Sequence, residues 1–305
     1  MRIAVIGAGG VGGYFGAKFA RAGNDVAFVA RGGQLAALRE RGLKVESAGG
    51  DIVLPRVAAT DDPSTLAPVD VVMLCVKLWD VEAAARQVVS LVAAGGVVIP
   101  FENGVDAPGI VASVVGADHV LAGVAYIGAT IAEPGVIRHV GSMARLRVGA
   151  FAGGPVDAAR RFADAAAAAG IEIEHSADIR RALWEKFVFL VAISGVTSLA
   201  RAPVGVVRSD PDLRAAFEAA LRESLAAGDA EGVALGDEFA ASAMRFIDSL
   251  PAEMRTSMQV DLAAGHRLEA PWLCGRVASL AVQHGFAAPV NATIFAALKP
   301  YLAGA

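Results

Sequence analysis

The chain commits itself within its first dozen residues. Met1-Arg2-Ile3-Ala4-Val5-Ile6 is a short β-type run that opens directly into Gly7-Ala8-Gly9-Gly10-Val11-Gly12-Gly13, and an apolar-periodic stretch, Val11 to Ala22, follows. Strand, Gly-x-Gly-x-x-Gly and helix in that order are the layout of a dinucleotide-binding βαβ unit. In that layout Gly7 permits the tight turn, Gly9 lets a pyrophosphate approach the backbone, and Gly12 lets the helix pack closely on the strand. Gly10 and Val11 stand at the helix N-terminus, where unpaired N–H groups and the helix dipole both favour negative charge.

The second strand decides which dinucleotide is expected. NAD-specific folds place Asp or Glu at its end, about 20 residues beyond the glycines, to hold the ribose 2′-hydroxyl. Here that strand reads Asp25-Val26-Ala27-Phe28-Val29-Ala30 and ends on Arg31. A guanidinium suits the 2′-phosphate of NADP, because its planar fork binds phosphate oxygens bidentately. NADPH is therefore the expected cofactor, with a solvated arginine opening the next helix as the alternative for Arg31.

At 305 residues the chain suits two domains and can bury a large core. Hydrophobic residues make up 55% and charged ones 19%, which excludes a disordered chain. A net charge of −4, with no basic stripe among aromatics, argues against nucleic acid as a partner. The five histidines show no metal-ligand spacing, so no metal site is expected. Cys75 and Cys274 cannot build a disulfide framework; both sit in apolar runs and read as buried structural thiols in a reducing compartment. The most apolar run, Phe187 to Ala200, falls short of the ~20 residues of a membrane span and reads as a core helix. With no basic n-region or cleavage site at the N-terminus, a soluble, cytoplasmic protein is expected.

Strand and helix signals alternate through the first half. A helix is expected near Gln34 to Arg41, then a hairpin, Leu43–Glu46 and Asp51–Leu54, turning at Ser47-Ala48-Gly49-Gly50. Asp70 to Val76 is the near-continuous apolar run of a strand buried on both faces. Helix Val81 to Leu91 and strand Gly96 to Pro100 follow. This alternation predicts a doubly wound sheet with its ligand crevice at the strand C-termini. From His119 the pattern becomes strand after strand: Val120 to Ile131, Val136 to Val140 and Ala144 to Val148, with Gly141-Ser142 as a turn. These predict an antiparallel extension of the same sheet. Beyond Pro155 helices dominate, at Val156–Ala169, Ile179–Ala200, Asp212–Gly232, Asp237–Ser249, Pro271–Gly285 and after Pro289. The expected class is α/β with an all-α C-terminal domain, divided as 1–170 for the cofactor and 171–305 for substrate and catalysis.

A nicotinamide enzyme needs an acid or base beside the reacting carbonyl. Lys186 is a charge at the edge of the very apolar segment that starts Trp184-Glu185-Lys186-Phe187. It must either snorkel to solvent or point into a cleft. Several further motifs, taken together, are family-specific. Gly7 to Gly16, Val29-Ala30-Arg31-Gly32, Val76-Lys77-Leu78-Trp79 and Glu102-Asn103-Gly104-Val105 occur in order. So do Pro134-Gly135-Val136-Ile137-Arg138-His139, the Trp184–Phe187 motif, Ser257-Met258-Gln259-Val260-Asp261 and His266-Arg267-Leu268-Glu269.

In these motifs the chain resembles the ketopantoate reductase (2-dehydropantoate 2-reductase) family, over nearly its whole length. The resemblance implies a Rossmann domain, a helical C-terminal domain and NADPH-dependent reduction of a small-molecule 2-keto acid. The expected reaction is 2-dehydropantoate to (R)-pantoate, in pantothenate and coenzyme A biosynthesis. It makes Lys186 the general acid and Glu269 the carboxylate that orients it, in place of a helix N-terminal acid ahead of Pro271. Asn103 would sit near nicotinamide and substrate, although Asn-Gly is also a common turn pair. Lys77 would lie near the NADP phosphate or ribose, its alternative being a strand-end lysine in water. Ser257 would contact the substrate carboxylate with Asp261 in support, each with ordinary helix polarity as its alternative. A homodimer remains open beside a monomer.

One departure is informative. The family carries asparagines four and eight residues beyond the lysine, on the same helix face, and here Leu190 and Ser194 occupy those substrate-binding positions. Leucine cannot hydrogen-bond a hydroxyl, so a less hydroxylated 2-keto acid is the alternative substrate. An alternative of another class is a non-enzymatic NADPH-binding sensor.

Overall fold

The structure is a computed structural model that describes residues 1–304. It divides into two compact units, Met1–Ala182 and Leu183–Ala305. The expected boundary after residue 170 precedes this division, because the strand Glu172–His175 still pairs with the first unit.

In the first unit the strands are β1 (Arg2–Ile6), β2 (Asp25–Val29), β3 (Leu43–Glu46), β4 (Ile52–Leu54) and β5 (Ala58–Thr60). They continue as β6 (Val71–Leu74), β7 (Val97–Pro100), β8 (Leu121–Glu133), β9 (Val136–Ala150) and β10 (Glu172–His175). The helices are α1 (Gly10–Arg21), α2 (Gly32–Arg41), α3 (Val81–Gln87), α4 (Val89–Val92), α5 (Ala107–Val115) and α6 (Val156–Ala168). One sheet is wholly parallel, in the order β5-β2-β1-β6-β7. Its central strands β6 and β7 are buried at every position, as parallel strands covered on both faces must be. From β1 the chain winds outward to β5 on one side, then returns through β6 to β7 on the other. This reversal creates a topological switch point beside β1.

The remaining strands correct an expectation. They form a second, mixed sheet, in the order β10-β9-β3-β4 with β8 on β9, joined to the parallel sheet by a single bridge, Val98↔Val120, at its edge strand β7. The hairpin β3–β4 forms as its alternation predicts, yet β3 pairs in parallel with β9. Gly141-Ser142 is not a turn between strands: β9 runs through it, and the β8–β9 register shifts from Ile127↔Ala144 to Gly128↔Val140. The extra residues bulge, which a local turn signal cannot distinguish from a chain reversal. The expected helix 81–91 is likewise split, at Val88, into α3 and α4. A common core of Phe15, Phe19, Phe28, Phe101 and Phe162 joins helix and sheet, with the Phe19 and Phe162 rings 5.5 Å apart.

The rest of the chain is helical: α7 (Ile179–Ala200), within which the division falls, then α8 (Val204–Ser209), α9 (Pro211–Ala230) and α10 (Gly236–Ser249). After these come α11 (Ser257–Ala263), α12 (Cys274–His284) and α13 (Pro289–Leu298). α7 is long and apolar enough to cross a membrane, but 72% of its most apolar window is buried, as in a core helix. Within the second unit Trp184 packs edge-on against Phe187, and Phe189 meets Phe217 and Phe246. The buried Glu223 carboxylate of α9 accepts from Val290 N and Asn291 N, each at 2.8 Å, and so caps α13.

Candidate functional site

The glycines at the end of β1 divide their labour. Gly7 has φ +97°, and a Cβ there would stand 2.4 Å from the Cys75 carbonyl oxygen. At Gly12 a Cβ would meet Gly7 O at 2.2 Å and the Val5 side chain at 2.8 Å, which is the close helix–strand contact expected of it. Gly10 is tight for a reason the motif does not contain, since its Cβ position lies 2.2 Å from Ala129 O on β8. Only Gly9 faces open space, with nothing within 4 Å of a built Cβ. Val11 is half-buried against the core.

Gly13 N bonds back to Gly9 O at 2.7 Å, the first rung of α1. Helix geometry therefore leaves the N–H groups of Gly10, Val11 and Gly12 without intrahelical acceptors. No acidic side chain stands in this first turn to offset the dipole. A bared backbone, free N–H donors and positive potential fit a dinucleotide diphosphate.

The neighbouring strand ends carry the other predicted groups. Arg31 follows β2, exposed and extended, as the N-cap of α2. Lys77 follows β6, also exposed, with Nζ 5.7 Å from the centre of the Trp79 ring. Asn103 follows β7, half-buried, and Gly104 after it has φ +97°, so the Asn-Gly pair does make a turn. In the order β2-β1-β6-β7, Arg31, the glycine loop, Lys77 and Asn103 all lie at the carboxyl edge of the parallel sheet. With strands ~4.8 Å apart, the edge from β2 to β7 spans about 14 Å.

Glu102 opens the Glu102–Val105 motif but had no role assigned to it from the sequence. It is buried, and its Oε1 accepts from Val76 N at 3.0 Å, tying the loop after β7 to the end of β6. A lone acid directly after an apolar strand was the available signal. The same carboxylate, after burial itself, helps push the Cys75 thiol well above the ordinary thiol range. Cys75 is only partly buried, whereas Cys274 is fully so.

In the second unit Lys186, Leu190 and Ser194 recur at helical spacing along one face of α7. Lys186 and Leu190 are half-buried and Ser194 fully buried. Among the described residues the Ser194 hydroxyl has no hydrogen-bond partner, an unusual state for a group away from water. Three residues on, Thr197 Oγ1 donates to Ile193 O and accepts from Thr256 Oγ1 at 3.0 Å. Thr256 is the N-cap of α11, so this hydroxyl pair sets Ser257, the exposed first residue of that helix, beside the far end of the Lys186 face. Asp261 is engaged by His266 Nδ1 at 3.3 Å.

Glu269 is buried and precedes a three-residue 3-10 turn without capping it through its side chain. The α-helix expected from Pro271 begins only at Cys274, because the backbone breaks at Leu273 (φ −110°, ψ −104°). Glu269 thus stands at the N-cap of the short 3-10 turn and not of the α-helix.

The fold and the loop define an α/β dinucleotide-binding protein with an appended helical unit. Comparison with known proteins makes this more specific. The sequence matches the family described as Ketopantoate reductase PanE/ApbA over residues 3–153, and that family's C-terminal region over residues 178–302. It is 33% identical over 297 residues to a 2-dehydropantoate 2-reductase of Halobacterium salinarum, covering 96% of each chain. Its fold matches the crystal structure of 2-dehydropantoate 2-reductase from Geobacter metallireducens GS-15 with a TM-score of 0.92 at 28% identity, covering 98% of this chain and 99% of that one. It also matches a D-mandelate dehydrogenase bound to NADH and anilino(oxo)acetate, with a TM-score of 0.91 at 19% identity, covering 99% and 98%.

The chain belongs to the ketopantoate reductase family. It is an oxidoreductase of that NADPH-binding family, which sets aside the non-enzymatic sensor.

Proposed function

We propose that this chain catalyses the NADPH-dependent reduction of 2-dehydropantoate to pantoate in the cytoplasm. The observation that carries the cofactor reading is the pair of neighbouring strand ends: Gly9 open to approach, and Arg31 where an NAD-binding fold would place a carboxylate. Gly9, Gly10 and Val11 hold the diphosphate through backbone N–H groups, and Arg31 and Lys77 take the 2′-phosphate and ribose. Asn103 lies toward the nicotinamide and the substrate. When bound, NADPH supplies the hydride that the C2 carbonyl carbon accepts.

The protein's part is the proton and the placement. Lys186 Nζ donates a proton to the carbonyl oxygen as that oxygen gains negative charge, and the ammonium offsets the charge until transfer is complete. Glu269 orients the ammonium. Ser257 holds the substrate carboxylate; Ser194, expected to share that role, is fully buried and does not reach it.

The test is Lys186→Ala in the full chain. Turnover falls by about 10²- to 10⁴-fold, while NADPH still binds in a fluorescence titration. Turnover at the wild-type rate removes the assigned acid.

Leu190 favours a second reading, in which a less hydroxylated 2-keto acid is the substrate. The fold is shared with a D-mandelate dehydrogenase and does not itself choose between them. A site that hydrogen-bonds a substrate hydroxyl rejects the analogue lacking it by ~10⁴-fold or more, whereas an apolar one discriminates by only ~10²-fold. The ratio of kcat/KM for 2-dehydropantoate to that for 2-ketoisovalerate decides: the larger ratio supports the first reading, the smaller one the second.

A further inference from the structure

Gln34, in the first turn of α2, makes two hydrogen bonds that meet at the glycine loop. Its Nε2 donates to Ala8 O at 2.8 Å, and its Oε1 accepts from Gly135 N at 2.9 Å. A carbonyl can only accept and an N–H can only donate, so these partners fix the orientation of the amide. Gly135 lies in the turn between β8 and β9 with φ +85°. Arg41, on the same face of α2, donates to the Pro134 carbonyl of that turn at 3.1 Å, and Lys44 N bonds to Gly135 O at 2.9 Å. Further back along the hairpin, Ala129 O fills the space where Gly10 would carry a side chain. One side-chain amide thus joins the loop after β1, the start of α2 and the tip of the hairpin that lies over α1.

The bond to Ala8 has a consequence for the next residue. Ala8 C=O and Gly9 N–H belong to one planar trans peptide and point in opposite directions. Turning the carbonyl toward Gln34 therefore aims the Gly9 N–H away from α2. Gly9 is the loop glycine with open space beside it, so its N–H direction matters to an incoming anion. The helix that carries Gln34 also has Arg31 as its N-cap, about one turn earlier.

From this geometry we propose that Gln34 is a positioning residue for the dinucleotide. It holds the Ala8–Gly9 peptide in the orientation that receives the diphosphate, and it ties that peptide to the helix whose N-cap is Arg31. The proposal rests on the NADPH reading above. Gln34 touches neither reacting atom, so its effect falls on cofactor binding and leaves the chemical step alone.

Direct NADPH titration of the full chain, with thermal unfolding and saturated kcat measured in parallel, provides the test. Gln34→Ala removes both bonds and raises the NADPH Kd about 10-fold, the worth of the one that holds the loop, with kcat at saturating NADPH unchanged. Gln34→Glu keeps an acceptor for Gly135 N, loses the donor to Ala8 O and adds a negative charge beside the loop. It weakens NADPH more than Gln34→Ala does, and the excess, which is the part due to charge, shrinks with added salt. Arg41→Ala removes a hairpin tether without touching the loop, and leaves Kd unchanged. Wild-type Kd in Gln34→Glu, or an equal loss in Arg41→Ala, overturns the proposal, since docking of the hairpin would then account for everything. A wild-type chain that fails to bind NADPH overturns the cofactor reading and the proposal with it.

Discussion

At Gly7 a methyl group would collide with the Cys75 carbonyl on a backbone of positive φ, whereas at Gly9 it would meet no protein atom within 4 Å. The same substitution at these two positions therefore tests different things. Gly7→Ala is expected to cost about 2–4 kcal/mol, from left-handed strain and the clash together. Gly9→Ala is expected to leave stability within about 0.5 kcal/mol of wild type, because nothing in the protein is displaced. Its NADPH Kd should nevertheless rise at least 10-fold, since the methyl stands where the diphosphate approaches. Thermal unfolding and NADPH titration of both variants separate the two effects. The motif assigned Gly7, Gly9 and Gly12 their parts because those constraints lie within one turn. It was silent on Gly10, whose neighbour Ala129 arrives from a distant strand. Gln34 was invisible for the same reason, since both its partners lie outside α2.

Among the elements, the helices of the second unit are pinned by polar groups as well as by their apolar faces. Arg214 on α9 grips Asp248 on α10 through two parallel bonds, of 2.6 and 2.9 Å. The hydrogen-bonded Arg214 holds the Asp248 carboxyl below its ordinary value of 3.8. A depressed carboxyl stabilises the fold above its unfolded-state value and loses that contribution as pH falls through the folded one. The stability difference between wild type and Asp248→Asn should thus be full well above pH 3.8 and shrink progressively below it, as pH falls toward the depressed folded value. Urea unfolding across that range is the check, and a difference that persists in acid would contradict it. The long elements were legible: α7 as an unbroken apolar run too long for a strand, and α9 because its 3.6-residue amphipathicity repeats over several turns. The short ones were not: β5, β10, α8 and α11 carry too few residues for a period, and β10 exists only because β9 offers an edge.

For the molecule as a whole, the thiols report on intactness. Burial pushes Cys274 up to about 12. Burial and the nearby Glu102 carboxylate raise Cys75 in the same direction. Thiolate is the reactive form, so neither group should react appreciably with a disulfide reagent near neutral pH until the chain unfolds. Both should then titrate together in denaturant. Rapid reaction of one thiol in the native protein would show that its surroundings open locally.

The sequence by itself determined the strand–glycine–helix start, the alternation that builds the parallel sheet, the helical second half and the family. These are written in local periodicity, in backbone permissiveness and in the order of motifs, none of which needs a distant partner. Only the tertiary structure decided that β3, β4, β8, β9 and β10 form a sheet of their own, that Gly141–Met143 bulge where a turn was expected, and that Ala129 crowds Gly10. Each of those outcomes depends on atoms far apart in the chain competing for the same space and the same hydrogen bonds, and that contest takes place only in the folded protein.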